Sequence, residues 1–191
     1  LLRHTSGISY DYVGGPWVMK VYSAAHIFDG HFDNKEFARR IAGLPLARQP
    51  GTLWRYGHST DVLGRIIEIV SGKSLFQFLA ERIFEPLGMT DTAFWARDAE
   101  RLPPLYTPDP QTRLAVENEA FSAAALRPPD AWGGGGGLVS TAGDYHRFTR
   151  MLLGEGSLDG VRLLAPRTVR FMASNHLPGG ADLETFGRPL F

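Results

Sequence analysis

Between Pro50 and Gly72 the run PGTLWRYGHSTDVLGRIIEIVSG places a phenol, Tyr56, and an imidazole, His58, among small and polar residues just ahead of an apolar periodic stretch. A tyrosine hydroxyl both donates and accepts hydrogen bonds, so Tyr56 suits proton handling at a loop. His58 either orients a substrate or faces solvent. A second group of rings, Tyr10, Tyr12 and Trp17, is interleaved with Gly14, Gly15 and Pro16. It reads as a loop that either lines a substrate pocket or covers the core. Ser6 follows His4 and Thr5 but has no lysine or other base beside it, so it reads as helix-end chemistry and not as a nucleophile.

Several other chemistries are excluded by spacing. No Gly-x-Ser-x-Gly elbow and no His-Glu-x-x-His occurs, which removes support for an α/β-hydrolase triad and a zinc protease. His26 and His31 flank Phe28-Asp29-Gly30 too irregularly to form a metal face. Gly72-Lys73-Ser74 has the end of a phosphate-binding loop, but Ile67 stands where its first glycine is required. Twenty basic residues balance twenty acidic ones, so the chain lacks the electrostatic footprint of a nucleic-acid partner. No apolar run approaches the roughly 18 residues of a membrane span. The absence of cysteine removes disulfides and thiol chemistry without fixing the compartment, cytoplasmic or periplasmic. With 43% hydrophobic residues, 191 residues can bury a sizeable core.

The positioning elements follow from caps and periodicity. Leu1 to Ile8 reads as a helix tail arrested by Gly7. Asp33 with Glu36 caps a helix through Phe37 and Ile41 that Gly43 and Pro45 stop. Pro50-Gly51 is a turn, and Ser59, Thr60 or Asp61 caps an amphipathic helix carrying Val62, Leu63, Ile66, Ile67 and Val70 to Gly72. Ser74 and Gln77 open a helix with Phe76, Leu79, Ile83 and Phe84 inward, ended by Pro86. Leu87 to Glu119 is irregular and proline-rich, with Thr92–Trp95 and Arg113–Glu117 as candidate edge strands. Gly133 to Gly137 suits either a close approach to a neighbouring element or a mobile loop. Thr141 and Asp144 then cap a helix closed by Gly154, and Pro166 opens one bearing Val169, Phe171 and Met172.

The stretch WRYGHSTDVLGRIIEIVSG, with LLRHTSGI before it and FLAERIFEPLGMTDTAF and GGGGLVSTAGDYHRFTRMLL after it, resembles the serine β-lactamase-like hydrolases: class C β-lactamases, DD-peptidases and esterases of the same fold. The resemblance covers nearly the whole chain in the expected order. It implies an α/β (α+β) β-lactamase-like fold. Residues 1–130 would form mostly the helical subdomain and loops, and 131–191 the glycine-rich segment and helices returning toward the sheet domain.

The family's catalytic set is Ser-x-x-Lys early, a Tyr-x-Asn-like motif in the middle and a Lys-Thr-Gly-like motif late. Only the middle motif is matched, at Tyr56-Gly57-His58. The lysines, Lys20, Lys35 and Lys73, are preceded three places earlier by Trp17, Phe32 and Val70. No Ser-x-x-Lys or Lys-Thr-Gly exists, and Trp132-Gly133-Gly134 matches a late esterase motif only by coincidence. The resemblance therefore implies an internal segment of a longer hydrolase whose serine lies elsewhere.

In such an enzyme Tyr56 helps move the serine proton. A free phenol titrates near about pH 10, so Tyr56 needs the motif lysine as partner and is half of a catalytic pair. His58 replaces the asparagine that contacts a substrate amide, which favours the esterase branch. The implied reaction is acyl transfer on a small-molecule ester or amide, without metal or organic cofactor. The alternatives are a β-lactamase or DD-peptidase, and a non-catalytic binding or scaffold protein. Tyr10, Trp17 and His58 are the expected substrate contacts, and the oligomeric state stays open.

Overall fold

Caps and apolar spacing together decide where this chain winds into helices. The computed structural model describes residues 1–13 and 15–187; Gly14 of the expected aromatic loop and 188–191 of the expected return segment lie outside the described residues. In chain order the elements are α1 (Pro16–Ala24), α2 (Asn34–Ala42), α3 (Ser59–Ser71), α4 (Leu75–Leu79), a π-helical turn (Ala80–Phe84), α5 (Glu85–Leu87), strands β1 (Tyr106–Pro108) and β2 (Ala115–Glu117), α6 (Glu119–Ala124), α7 (Ala142–Leu153), β3 (Ser157–Leu158), β4 (Val161–Arg162), α8 (Pro166–Met172) and α9 (Leu183–Phe186). Two compact units result, one from residues 1–75, 130–136 and 170 onward, the other from 76–129 and 137–169.

In the first unit α2 starts as expected, with the Asp33 side chain accepting from the Glu36 N–H. The expected start of α3 is different. His58 is the N-cap residue and makes no side-chain cap bond; the Ser59 hydroxyl meets Ser6, and the Asp61 carboxylate meets His58 and Gly135. Leu1 to Ile8 is not a helix tail but turns, bends and irregular backbone. The expected loop through Trp17 ends early, since Pro16 at the first helical position pre-sets its φ and opens α1. Val18 and Tyr22, one turn apart on α1, are buried, and the Tyr22 hydroxyl donates to the Pro45 carbonyl at 3.2 Å. Ile27, Phe37 and Ile41 form the core of this unit, with Ile8, Phe32, Leu44 and Val62 packed around them.

Helix α3 departs from its expected buried stripe. Ser59 and Gly64 are its buried residues, whereas Ile66 and Ile69 are exposed and Val70 is 82% exposed. The side carrying Gly64 is pressed so closely to Leu75 and Gly134 that a Cβ there would crowd both. The glycine run works in the same way. A Cβ at Gly134 would overlap the Thr60 carbonyl, and one at Gly135 would lie 2.8 Å from Thr60 Oγ1. Close approach, the first of the two sequence readings, is therefore why side chains are absent at Gly134 and Gly135.

The second unit buries Phe84, Leu87, Met89, Met151 and Leu158. Pro86 does not stop its helix. The preceding turn widens to π geometry and α5 continues to Gly88 in the left-handed region, since a proline within a helix lacks an N–H and clashes with the carbonyl four residues back. Helix α7 is capped as expected, with Thr141 accepting from the Asp144 N–H. Arg113–Glu117 contains β2, paired antiparallel with β1, and Ala93 makes a bridge with Val139. Asp159 and Gly160, with φ of 49° and 83°, turn β3 into β4; this Asp-Gly hairpin is a signal the sequence carries. Pro166 opens α8 as expected, and Phe171 and Met172 on it are exposed.

Three outcomes are expected. Gly134→Ala should lower stability in urea unfolding by about 1–3 kcal/mol through overpacking, while Gly136→Ala, whose Cβ meets open space, stays within about 0.5 kcal/mol of the parent. Thr141→Ala should cost about 1 kcal/mol for the lost cap of α7. Bonds from Arg39 and Arg40 hold the Glu36 carboxyl down at about 2. A depressed carboxyl contributes stability above its ordinary pKa of 4.5 and loses it as pH falls toward 2. Glu36→Gln should therefore slightly flatten the decline of Tm across that interval, and salt should shrink the effect because the pair is exposed.

Candidate active site

Tyr56 is positioned by backbone packed on backbone. The Arg55 N–H donates to the His4 carbonyl at 2.7 Å, the Gly51 N–H to Thr5 at 2.7 Å and the Ala47 N–H to Gly7 at 2.8 Å. At two points the chains come so near that only glycine fits. A Cβ on Gly57 would overlap the Ile8 carbonyl, and one on Gly7, which has φ of 84°, would overlap the Arg48 carbonyl. Ser6 Oγ and Ser59 Oγ lie 2.8 Å apart, so Ser6 is not helix-end chemistry but a tie between its segment and the start of α3.

Around the half-buried Tyr56 stand other rings. His4 lies 5.1 Å away, Tyr10 meets it edge-on at 5.2 Å, and Trp54 stacks at 6.2 Å. Trp54 is held from behind by its N–H, which donates to the Phe186 carbonyl of α9 at 2.9 Å. Tyr12 is exposed and stacks on Tyr10 at 4.9 Å. Burial first, then the negative charge of Asp61, pushes the Tyr10 phenol well above its ordinary pKa, so Tyr10 remains a neutral hydroxyl. Burial likewise lowers the His4 imidazole, and His4 Nδ1 has no hydrogen-bond partner among the described residues.

His58 does not face solvent. It is 3% exposed, with its ring 4.2 Å from Tyr10, 5.3 Å from Phe37 and 5.5 Å from Phe28. Its Nδ1 lies 2.9 Å from Asp61 Oδ2, and its Nε2 is buried without a partner among the described residues. Asp61 Oδ1 accepts the Gly135 N–H at 2.8 Å.

Of the four residues expected at the site, Tyr56, Tyr10 and His58 come together and Trp17 does not. It sits on α1, 60% exposed, outside the ring contacts of the cluster. Sequence reasoning missed His4, Trp54 and Asp61. Asp61 was legible, being three residues after His58 at a helix start, a spacing that brings side chains together. Trp54 is two residues from Tyr56 and so was within local range, whereas His4 is brought in by pairing between segments about fifty residues apart and leaves no local signal. Among the described residues no group of three or more His, Asp or Glu is placed to hold a metal ion, and no helix is long and apolar enough to cross a membrane.

The chain is similar over most of its length to known proteins. Protein Rv1367c of Mycobacterium tuberculosis (strain ATCC 25618 / H37Rv) is 41% identical over 195 residues, covering 100% of this chain and 47% of that protein. Lovastatin esterase of Penicillium rubens is 35% identical over 181 residues, 93% of this chain and 43% of the esterase. The chain thus spans about half the length of the curated relatives it matches. Among solved structures, EstCE1, a hydrolase with promiscuous acyltransferase activity, superposes with a TM-score of 0.70 at 25% identity over 88% of this chain and 47% of that one. The sequence profile described as Beta-lactamase matches residues 1–189. The fold is β-lactamase-like, as the motifs around Tyr56 imply, and the chain belongs to the beta-lactamase family.

Proposed function

We propose that the complete protein is a serine hydrolase that transfers the acyl group of carboxylic esters, with Tyr56 as the proton carrier. The observation that carries the reading is Tyr56 itself: half-buried, fixed by the backbone contact at Gly57, and set within reach of a neutral Tyr10. The nucleophilic serine and its lysine are supplied by residues outside these 191, since no Ser-x-x-Lys occurs in them. The serine oxygen bonds to the acyl carbon. Its proton passes by way of Tyr56 and the lysine to the departing alkoxide, so a neutral alcohol leaves and the acyl-enzyme remains. Water then bonds to the acyl carbon and gives up a proton that returns along the same route to the serine oxygen, whose bond to the acyl carbon breaks, so the carboxylic acid leaves and the free serine is restored. Tyr10, as an un-ionised phenol, donates to an oxygen of the bound ester.

Esters are favoured over β-lactams and peptides by what stands at position 58. An amide-reading site needs a free donor and acceptor pair there, whereas the His58 imidazole is buried and its Nδ1 is engaged by Asp61. Similarity to a lovastatin esterase and to EstCE1, a hydrolase that also transfers acyl groups, supports the same choice. The β-lactamase or DD-peptidase reading predicts cephalosporin hydrolysis exceeding hydrolysis of a chromogenic ester. A non-catalytic protein would hydrolyse neither.

Tyr56→Phe in the complete protein should lower kcat for p-nitrophenyl acetate by about 100-fold or more, with a Tm change of only a few degrees because the ring is kept. Unchanged turnover would refute the role given to the phenol. A fluorophosphonate probe should label the complete protein stoichiometrically and leave the 191-residue chain unlabelled.

A further inference from the structure

Asp61 joins the ring cluster to the glycine run. Both of its carboxylate oxygens are used, Oδ1 by the Gly135 N–H at 2.8 Å and Oδ2 by His58 Nδ1 at 2.9 Å. A carboxylate only accepts, so the hydrogen of this second bond belongs to His58 Nδ1. That leaves Nε2 as the imidazole nitrogen that is buried without a partner among the described residues. The His58 ring is the floor against which Tyr10 rests edge-on at 4.2 Å, and Tyr10 in turn meets Tyr56 at 5.2 Å. On its other side Asp61 pins a loop that has no side chains of its own to lock it. Gly134 and Gly135 lie directly on Thr60, in the first turn of α3.

We propose that Asp61 is a positioning residue for the reaction at Tyr56: it fixes the orientation of His58, and through it Tyr10, while holding the glycine run against the start of α3. The proposal rests on the reading of Tyr56 as the proton carrier. Asp61 acts through His58 and Gly135, and its loss should therefore appear as misplacement of the rings around Tyr56, in kcat more than in KM. Asparagine at position 61 retains shape but offers one carbonyl oxygen and an NH2 group, so it can accept well from only one of the two donors. Alanine can accept from neither.

The test uses the complete protein with 15N-labelled histidine, comparing wild type, Asp61→Asn and Asp61→Ala. In the wild type the His58 resonances should report a hydrogen held on Nδ1. In Asp61→Ala that hydrogen should redistribute toward Nε2, and kcat for p-nitrophenyl acetate should fall by about 10- to 100-fold with KM changed less than about threefold. Asp61→Asn should fall between the two, and it carries the test if the alanine variant does not fold. An unaltered His58 signature in a folded variant would overturn the proposal, as would unaltered kcat or a loss confined to KM. If the wild-type protein hydrolyses no ester, the reading of Tyr56 fails, and the imidazole signature alone then decides whether Asp61 orients His58.

Discussion

The site depends on one irregular stretch of backbone, residues 4 to 9, running within hydrogen-bonding distance of residues 47 to 57. Backbone N–H and C=O groups removed from water must find partners, and here each segment supplies them to the other: His4 to Arg55, Thr5 to Gly51, Gly7 to Ala47. The distance between the segments is set by what is missing. Gly7 and Gly57 have no Cβ to hold the chains apart, and at both positions a methyl group would overlap a carbonyl oxygen. Because Tyr56 immediately precedes Gly57, its Cα is located by this packing before any side-chain contact is made. His4, Trp54 and Tyr10 then limit where its ring can turn.

The start of α3 shows how a helix end can be diverted to the needs of a site. Ser59 and Asp61 are good capping residues by chemistry, yet neither caps. The Ser59 hydroxyl meets Ser6, and the Asp61 carboxylate meets His58 and Gly135. The helix begins without a side-chain cap and is held by tertiary bonds that also organise the rings. The apolar stripe of α3 is similarly displaced: Gly64 makes the close contact, and Ile69 and Val70 remain exposed.

In the second unit, polar groups perform an analogous task within its own core. Asp144 at the start of α7 is buried, and its Oδ2 accepts from the Asp91 N–H and from Thr92 Oγ1, both at 2.8 Å. A buried carboxylate is tolerated where its lone pairs are used in this way. The Asp144 backbone meanwhile completes the Thr141 cap, so one residue ends the irregular segment and begins the helix.

What the sequence determined by itself is the local part. The Asp33 and Thr141 caps, the arrest of α3 at Gly72 and of α7 at Gly154, and the motif that places Tyr56 ahead of a helix all follow from residues within a few positions of one another. The family too was legible, because its motifs are contiguous runs such as WRYGHSTDVLGRIIEIVSG. Tertiary structure decided which candidates meet. It joined Tyr10 and His58 to Tyr56, left Trp17 on an exposed helix, and added His4. It also converted Ser6 and Asp61 from expected helix-end residues into ties between segments. The physical reason is range: capping and periodicity act over three or four residues, whereas the site is made largely by hydrogen bonds and glycine-limited contacts between segments about forty to seventy-five residues apart, whose partners no local pattern names.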